Sequence, residues 1–241
     1  MSAKKVKVKV TKKKLKVKNI LITIIIIFLI ISTIIDFINL PVKNIYITGN
    51  NILNDKKIIE LADLTDYPPY LKTYFNNIKE KILKNDYIKS VNIKRASTRK
   101  IYIEIEEYKP ICIYKNELVL SSSKKVQNTY NIDYVPYVIN NIDDIYDKFI
   151  TKFNKIEKEN LQKISHIEYK PNDVDKERFL LYMTDGNYIY ITLSKIDKLN
   201  KYNSIVQELD DKKGIIYLDS GDYVEIKDEE IKDWHNNQLI I

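Results

Sequence analysis

The most chemically suggestive stretch is Ser121-Ser122-Ser123-Lys124-Lys125, where S-x-x-K occurs twice, as Ser121 to Lys124 and as Ser122 to Lys125. On a helix, that spacing sets an amine beside a serine hydroxyl and can generate an acylating nucleophile. The companions of that chemistry are missing, because neither Lys-Thr-Gly nor Ser-Asp-Asn occurs in the chain. The serines also fall between two strand-like runs, where Ser and Lys commonly make a loop. His166 and His235 are the only histidines, and neither has a second ligand at metal spacing. His166 lies in an apolar alternation and reads as an ordinary strand residue. The adjacent acids Asp143-Asp144 and Glu229-Glu230 read as solvated surface. The four glycines form no phosphate-cradling loop. The single cysteine, Cys112, sits between Ile111 and Ile113 and reads as a buried, inert thiol. No catalytic residue, metal site, cofactor or small-molecule substrate is expected.

The charge distribution is informative. The net charge is +7, yet residues 1–18 hold nine lysines and no acid. The other 31 basic residues face 33 acids, so the remainder is slightly acidic. A nucleic-acid-binding domain would carry its basic excess on the folded part, so nucleic acid is excluded as a partner. Ile20 to Ile35 follows the lysines with sixteen residues lacking charge or helix breaker. Extended to Asn19–Leu40 it has 22 residues, about 33 Å of helix against a hydrocarbon core of about 30 Å. Pro41 is expected to end it, with Asp36 near the far interface. The run is too long for a cleaved signal peptide and is followed by bulky residues, so an uncleaved anchor is expected. Lysines flanking a first span stay in the cytoplasm. Residues 1–18 are therefore expected inside, 19–40 in the membrane, and the rest outside.

Beyond the span, Asn44–Thr48 alternates as a strand closed by Gly49. Asn54 or Asp55 can cap a helix through Ile58, Ile59, Leu61, Ala62 and Leu64. A second helix is expected from the stripe Leu71, Tyr74, Phe75, Ile78, Ile82 and Leu83. Strands around Ile88–Ile93 and Ile101–Ile105 follow, giving β-α-α-β-β over residues 41–110. The next region, 111–227, is expected to be rich in strands: Ile111–Tyr114, Glu117–Leu120, Tyr134–Ile139, Ile164–Tyr169, Phe179–Met183, Tyr188–Thr192, Ile215–Leu218 and Tyr223–Ile226. Asp185-Gly186 joins two of them as a tight hairpin. Helices are expected over Ile142–Glu159 and Ile196–Leu209, with Gly214 ending the second. Residues 228–241 form a separate tail. Most of the 19 tyrosines fall at strand or stripe positions and should be buried or half-buried, with a few exposed ones free to anchor an interface.

This order resembles the FtsQ/DivIB family of bacterial cell-division proteins. Thr48-Gly49-Asn50 is similar to the family's V-x-G-N. Ile101 to Pro110, with Glu104, Glu106 and Pro110, is similar to its I-x-V-x-E-x-x-P boundary pattern. Tyr134-Val135-Pro136-Tyr137-Val138 resembles its L-P segment, and Thr184-Asp185-Gly186 followed by Ile196–Leu209 its D-G hairpin and helix. Ala96-Ser97-Thr98-Arg99 stands where the family often has Trp-Pro, and Ser121 to Lys125 where it often has Asp and Gly. The resemblance spans roughly residues 19–226. It implies an α+β fold with one transmembrane helix, a POTRA domain and a β-rich mixed domain. It also implies a non-enzymatic scaffold of the division septum, in the cell membrane, whose partners are bitopic proteins like FtsL and FtsB/DivIC. A membrane-anchored extracytoplasmic Ser/Lys hydrolase is the alternative. Leu218-Asp219-Ser220-Gly221 resembles the family's Y-D-S-G segment. The implied partner-binding residues are Tyr217, Leu218, Asp219, Ser220, Gly221, Asp222, Tyr223 and Val224, a terminal strand to which an extended partner adds. Gly221 would allow close approach of another backbone, or simply make a turn. A proline at Tyr223 is expected to remove a ladder donor and block the pairing.

Overall fold

A computed structural model describes residues 17–96, 99–210 and 212–226. Residues 1–16 and the expected tail 228–241, with His235 and Glu229-Glu230, lie outside the described residues. The first helix, α1, runs Val17–Ile38 with no buried side chain. Among the described residues it is the one helix long and apolar enough to cross a membrane. It starts and stops two residues before the expected span. At its end Asn39 N still donates to Ile35 O at 3.0 Å, and Pro41, which has no N–H, cannot continue the ladder. Thr23 and Thr33 return their hydroxyls to the carbonyls of Asn19 and Ile30, so neither polar group is left bare in an apolar setting.

The β-α-α-β-β unit follows as β1 (Asn44–Thr48), α2 (Asp55–Leu61), α3 (Phe75–Leu83), β2 (Ile88–Ala96) and β3 (Lys100–Glu107). The sheet order is β1-β3-β2, with β1 parallel and β2 antiparallel to β3. Alternation on β3 buries Ile101, Ile103 and Ile105 under the helices and turns Tyr102, Glu104 and Glu106 out. Asn54 is the cap of α2, its side chain accepting from Lys57 N at 2.8 Å. Gly49 has φ +84°, and a Cβ there would lie 2.0 Å from the carbonyl oxygen of Ile105, so only glycine fits this strand end. Glu107 locks the turn that follows, its carboxylate accepting N–H bonds from Asn51, Ile52 and Leu53 at 2.7 to 2.9 Å.

The second helix is shorter than the apolar stripe suggested. Leu71 lies in a 3₁₀ turn, Tyr70–Lys72, and Thr73 and Tyr74 are extended. Pro69 and the bond from Tyr70 N to Leu40 O (2.9 Å) hold this segment against the end of α1 instead. Only Ile78 and Ile82 of the stripe are buried.

The remaining strands are β4 (Pro110–Tyr114), β5 (Glu117–Leu120), β6 (Lys125–Val126), β7 (Tyr137–Val138), β8 (Ile164–Tyr169), β9 (Arg178–Met183), β10 (Tyr188–Thr192), β11 (Gly214–Tyr217) and β12 (Tyr223–Ile226). They form one sheet in the order β12-β11-β10-β9-β8-β7-β4-β5-β6. The helices α4 (Tyr146–Phe153), α5 (Lys158–Leu161) and α6 (Tyr202–Glu208) lie in the connections. The expected helix over Ile142–Glu159 is broken into a 3₁₀ turn at Asp143–Ile145, then α4 and α5. The expected helix over Ile196–Leu209 is 3₁₀ from Leu193 to Lys201 before α6. In both, most of the apolar residues are buried, with Ile145, Ile205 and Val206 half-buried, but mixed 3₁₀ and α turns rather than one α-helix carry them. Gly214 does not end a helix. Leu209 caps α6, Asp210 reverses the chain at φ +49°, and Gly214 opens β11, where a Cβ would meet Glu225 O at 2.3 Å.

Two apolar cores result. One lies under the strand-rich region, with Phe149, Phe153 and Phe179 in mutual ring contact. The other joins Ile58, Ile82 and Ile103 of the first unit to Ile113, Leu118, Leu120, Val126, Ile132 and Val135. Apolar packing therefore runs without interruption across the Pro110/Ile111 junction.

Candidate functional site

The serine-lysine cluster sits in the turn between β5 and β6. Ser121 Oγ accepts from Lys109 N at 3.1 Å, Lys124 pairs with Asp86 at 2.7 Å, and the Lys125 amine lies over the rings of Tyr114 and Tyr146. Both amines of the S-x-x-K spacings thus have other partners, and the serines are on no helix. Cys112 is fully buried, and burial pushes its thiol pKa well up. His166 is exposed on β8 between the rings of Tyr137 and Tyr182. Among the described residues no group of three metal-ligating side chains occurs.

The expected partner-binding segment, Tyr217 to Val224, forms the end of β11, the turn, and the start of β12, the last strand of the sheet. Tyr217 and Tyr223 face each other across the ladder with rings 4.5 Å apart, and Tyr190 on β10 extends the stack at 5.4 Å. Tyr217 donates to Glu225 at 3.1 Å; burial, then that bond to a carboxylate, push its pKa up to about 12. Leu218 is buried. The turn is held by charge. Arg178 Nε meets Asp219 Oδ2 at 2.6 Å, with both side chains largely buried, and the guanidinium lies 3.7 Å over the Tyr190 ring. Burial alone would raise the Asp219 pKa, but the bonds from Arg178 and from Ser220 N outweigh it and hold the carboxyl below its ordinary range. Lys195 donates to Asp219 O at 2.6 Å, and Lys198 pairs with Asp222. Gly221 needs no left-handed backbone; a Cβ there would press on the Tyr223 ring at 3.0 Å.

Which backbone groups face outward follows from two bonds. Leu218 N donates to Tyr190 O at 2.8 Å, and Gly214 N to Asn187 Oδ1 at 3.0 Å. The even residues of β11 thus face β10, so Ile215 and Tyr217 face β12 and bond their register partners Glu225 and Tyr223. Val224 and Ile226 point their N–H and C=O groups away from the sheet, where no described strand pairs with them. This corrects one expectation: a proline at Tyr223 would cut an inward bond, whereas a proline at Val224 touches only the free edge. Arg178, Lys195 and Glu225 were not singled out in the sequence. Arg178 is 41 residues from Asp219, and no local pattern announces such a pair.

A family model described as POTRA domain, FtsQ-type, matches residues 40–108. Cell division protein DivIB of Bacillus subtilis (strain 168) is 29% identical over 217 residues, covering 85% of this chain and 82% of that protein. Its namesake in Bacillus anthracis is 26% identical over 244 residues, covering 95% and 90%. The solved major extracytoplasmic domain of DivIB from Geobacillus stearothermophilus, in its trans isomer, aligns with a TM-score of 0.37 and 22% identity, over 44% of this chain and 96% of that one.

Proposed function

Because the chain belongs to the FtsQ/DivIB family of bacterial cell-division proteins, we propose that it is a non-enzymatic assembly protein of the septum that captures a partner strand on β12. The observation that carries this reading is the outer edge of β12. Val224 and Ile226 offer backbone groups to an incoming chain, and Tyr223, 53% exposed, and Ile226, 48% exposed, offer side chains beside them. The Arg178–Asp219 pair and the tyrosine stack hold the edge in place before a partner arrives, which lowers the ordering cost of binding. The partners are bitopic proteins like FtsL and FtsB/DivIC, each with a segment on the same side of the membrane. The nine lysines put residues 1–18 in the cytoplasm and the two folded units outside.

The test is copurification from native membranes. The Val224→Pro chain should remain folded and lose small single-span proteins that the wild type retains. Retention at wild-type level would put the binding edge elsewhere, for instance on β1. Protease added to intact protoplasts should digest the region beyond residue 42 and leave a small fragment; protection of the large part reverses the orientation.

A further inference from the structure

The base of the POTRA unit carries a patch that neither the fold nor partner capture on β12 uses. We propose that the segment Tyr67–Tyr74 is an interfacial membrane anchor that sits in the headgroup region at the end of α1. Tyr70 and Thr73 pack inward, but three side chains of the segment are left outside the core: Tyr67 is 51%, Leu71 43% and Tyr74 70% exposed. The segment is tied to the helix exit by three hydrogen bonds. Tyr70 N donates to Leu40 O at 2.9 Å and Val42 N to Pro68 O at 3.0 Å, the two bonds of a Pro41–Pro69 bridge, and Lys72 Nζ donates to Asn39 Oδ1 at 2.7 Å. Residues 68–72 therefore lie level with residues 39–42, immediately past the last turn of the span.

That level selects the occupant. A 22-residue helix is about 33 Å long, so its end reaches the boundary between acyl chains and headgroups. Tyrosine is favoured there because its ring prefers the apolar side and its hydroxyl the wet side. Phe37 and Leu40 are likewise exposed apolar residues at the helix end. The cations beside it suit lipid phosphates. Lys43 and Lys72 flank the exit, and Arg99 donates to Pro41 O at 3.3 Å while its own carbonyl accepts from Lys43 N at 2.8 Å. Glycerophospholipid, with apolar chains and an anionic phosphate, matches this pairing of exposed Leu and Tyr with neighbouring Lys and Arg. The inference rests on α1 spanning the membrane and is independent of what binds β12.

The test uses the full chain carrying Trp234→Phe, which removes its only tryptophan, reconstituted in phosphatidylcholine vesicles containing phosphatidylglycerol. Tyr74→Trp and, separately, Leu71→Trp report on the patch. Val174→Trp, at a site 96% exposed in the connection between β8 and β9, is the reference. Phosphatidylcholine brominated on its acyl chains should quench emission from positions 71 and 74, since interfacial apolar faces lie about 5–10 Å into the acyl boundary, and leave position 174 unchanged. Both leaflets carry the quencher, so insertion direction does not matter. Equal quenching at all three positions overturns the proposal. Shielding of position 74 from aqueous acrylamide without lipid quenching also overturns it, because a second copy of the chain would then be the cover.

Discussion

Tyr217 and Tyr223 stack nearly parallel, 13° between ring planes, as opposed residues of β11 and β12. Tyr223→Ala should cost about 1 kcal/mol of unfolding free energy, the usual contribution of such a pair. The stack also makes stability sensitive to alkali. The Tyr217 hydroxyl has an ordinary pKa of 10.0 and a folded value of about 12. Between these values the folded state holds a proton that the unfolded state has lost, so stability falls as pH rises from 10 through 12. Urea titrations over that interval should show a steep loss in the wild type and a shallower one in Tyr217→Phe, which keeps the ring and loses the titration. Equal slopes would mean that Tyr217 ionises at its ordinary value.

Arg178 and Asp219 form a largely buried ion pair, and removing one partner strands the other. Arg178→Ala should destabilise the fold by about 3 kcal/mol, and adding Asp219→Ala should recover part of the loss. Because the folded Asp219 pKa lies below its ordinary 3.8, its contribution is present above that value and is lost as pH falls through the folded one. A double-mutant cycle by denaturant unfolding measures the coupling, and additive single effects would refute it.

Glu107 closes the turn after β1 with three accepted N–H bonds. Glu107→Ala leaves those donors without an acceptor and should cost about 2 kcal/mol. Glu107→Gln keeps an accepting oxygen and should cost less. Hydrogen exchange at Ile52 and Leu53 gives a local readout, which should accelerate in the alanine variant and change little in the glutamine one.

Cys112 should be silent to aqueous thiol reagents in the native chain and react fully once urea unfolds it, since burial both hides the sulfur and suppresses its thiolate. Rapid labelling without denaturant would show that β4 opens on its own.

Five strands, β1, β5, β8, β10 and β12, have the boundaries read from alternation, because their ends are marked by Gly49, Asp185-Gly186 or a change of period. The helices were less legible. Leu71 and Tyr74 sit at helical spacing yet belong to a segment held by contacts with the end of α1, which no local pattern encodes. Ile142–Glu159 and Ile196–Leu209 place the right residues in the core through 3₁₀ turns, which a 3.6-residue template cannot tell from α-helix. At the candidate edge, the segment and its terminal position could be read in advance. Its outward-facing residues could not, because they depend on how β10 pairs with β11, which no local pattern encodes.

The apolar core that crosses Pro110 has a mechanical consequence. Ile58 and Ile103 share it with Leu118 and Val135, so the seam between the two folded units has no soft hinge to absorb strain. Close-packed interiors transmit displacement instead of damping it. The bonds from Tyr70 to Leu40 and from Lys72 to Asn39 extend that stiffness to α1. A polypeptide that pulled sideways on β12 would therefore exert torque on α1, and the described residues beyond it would act as a lever with its fulcrum at Pro41.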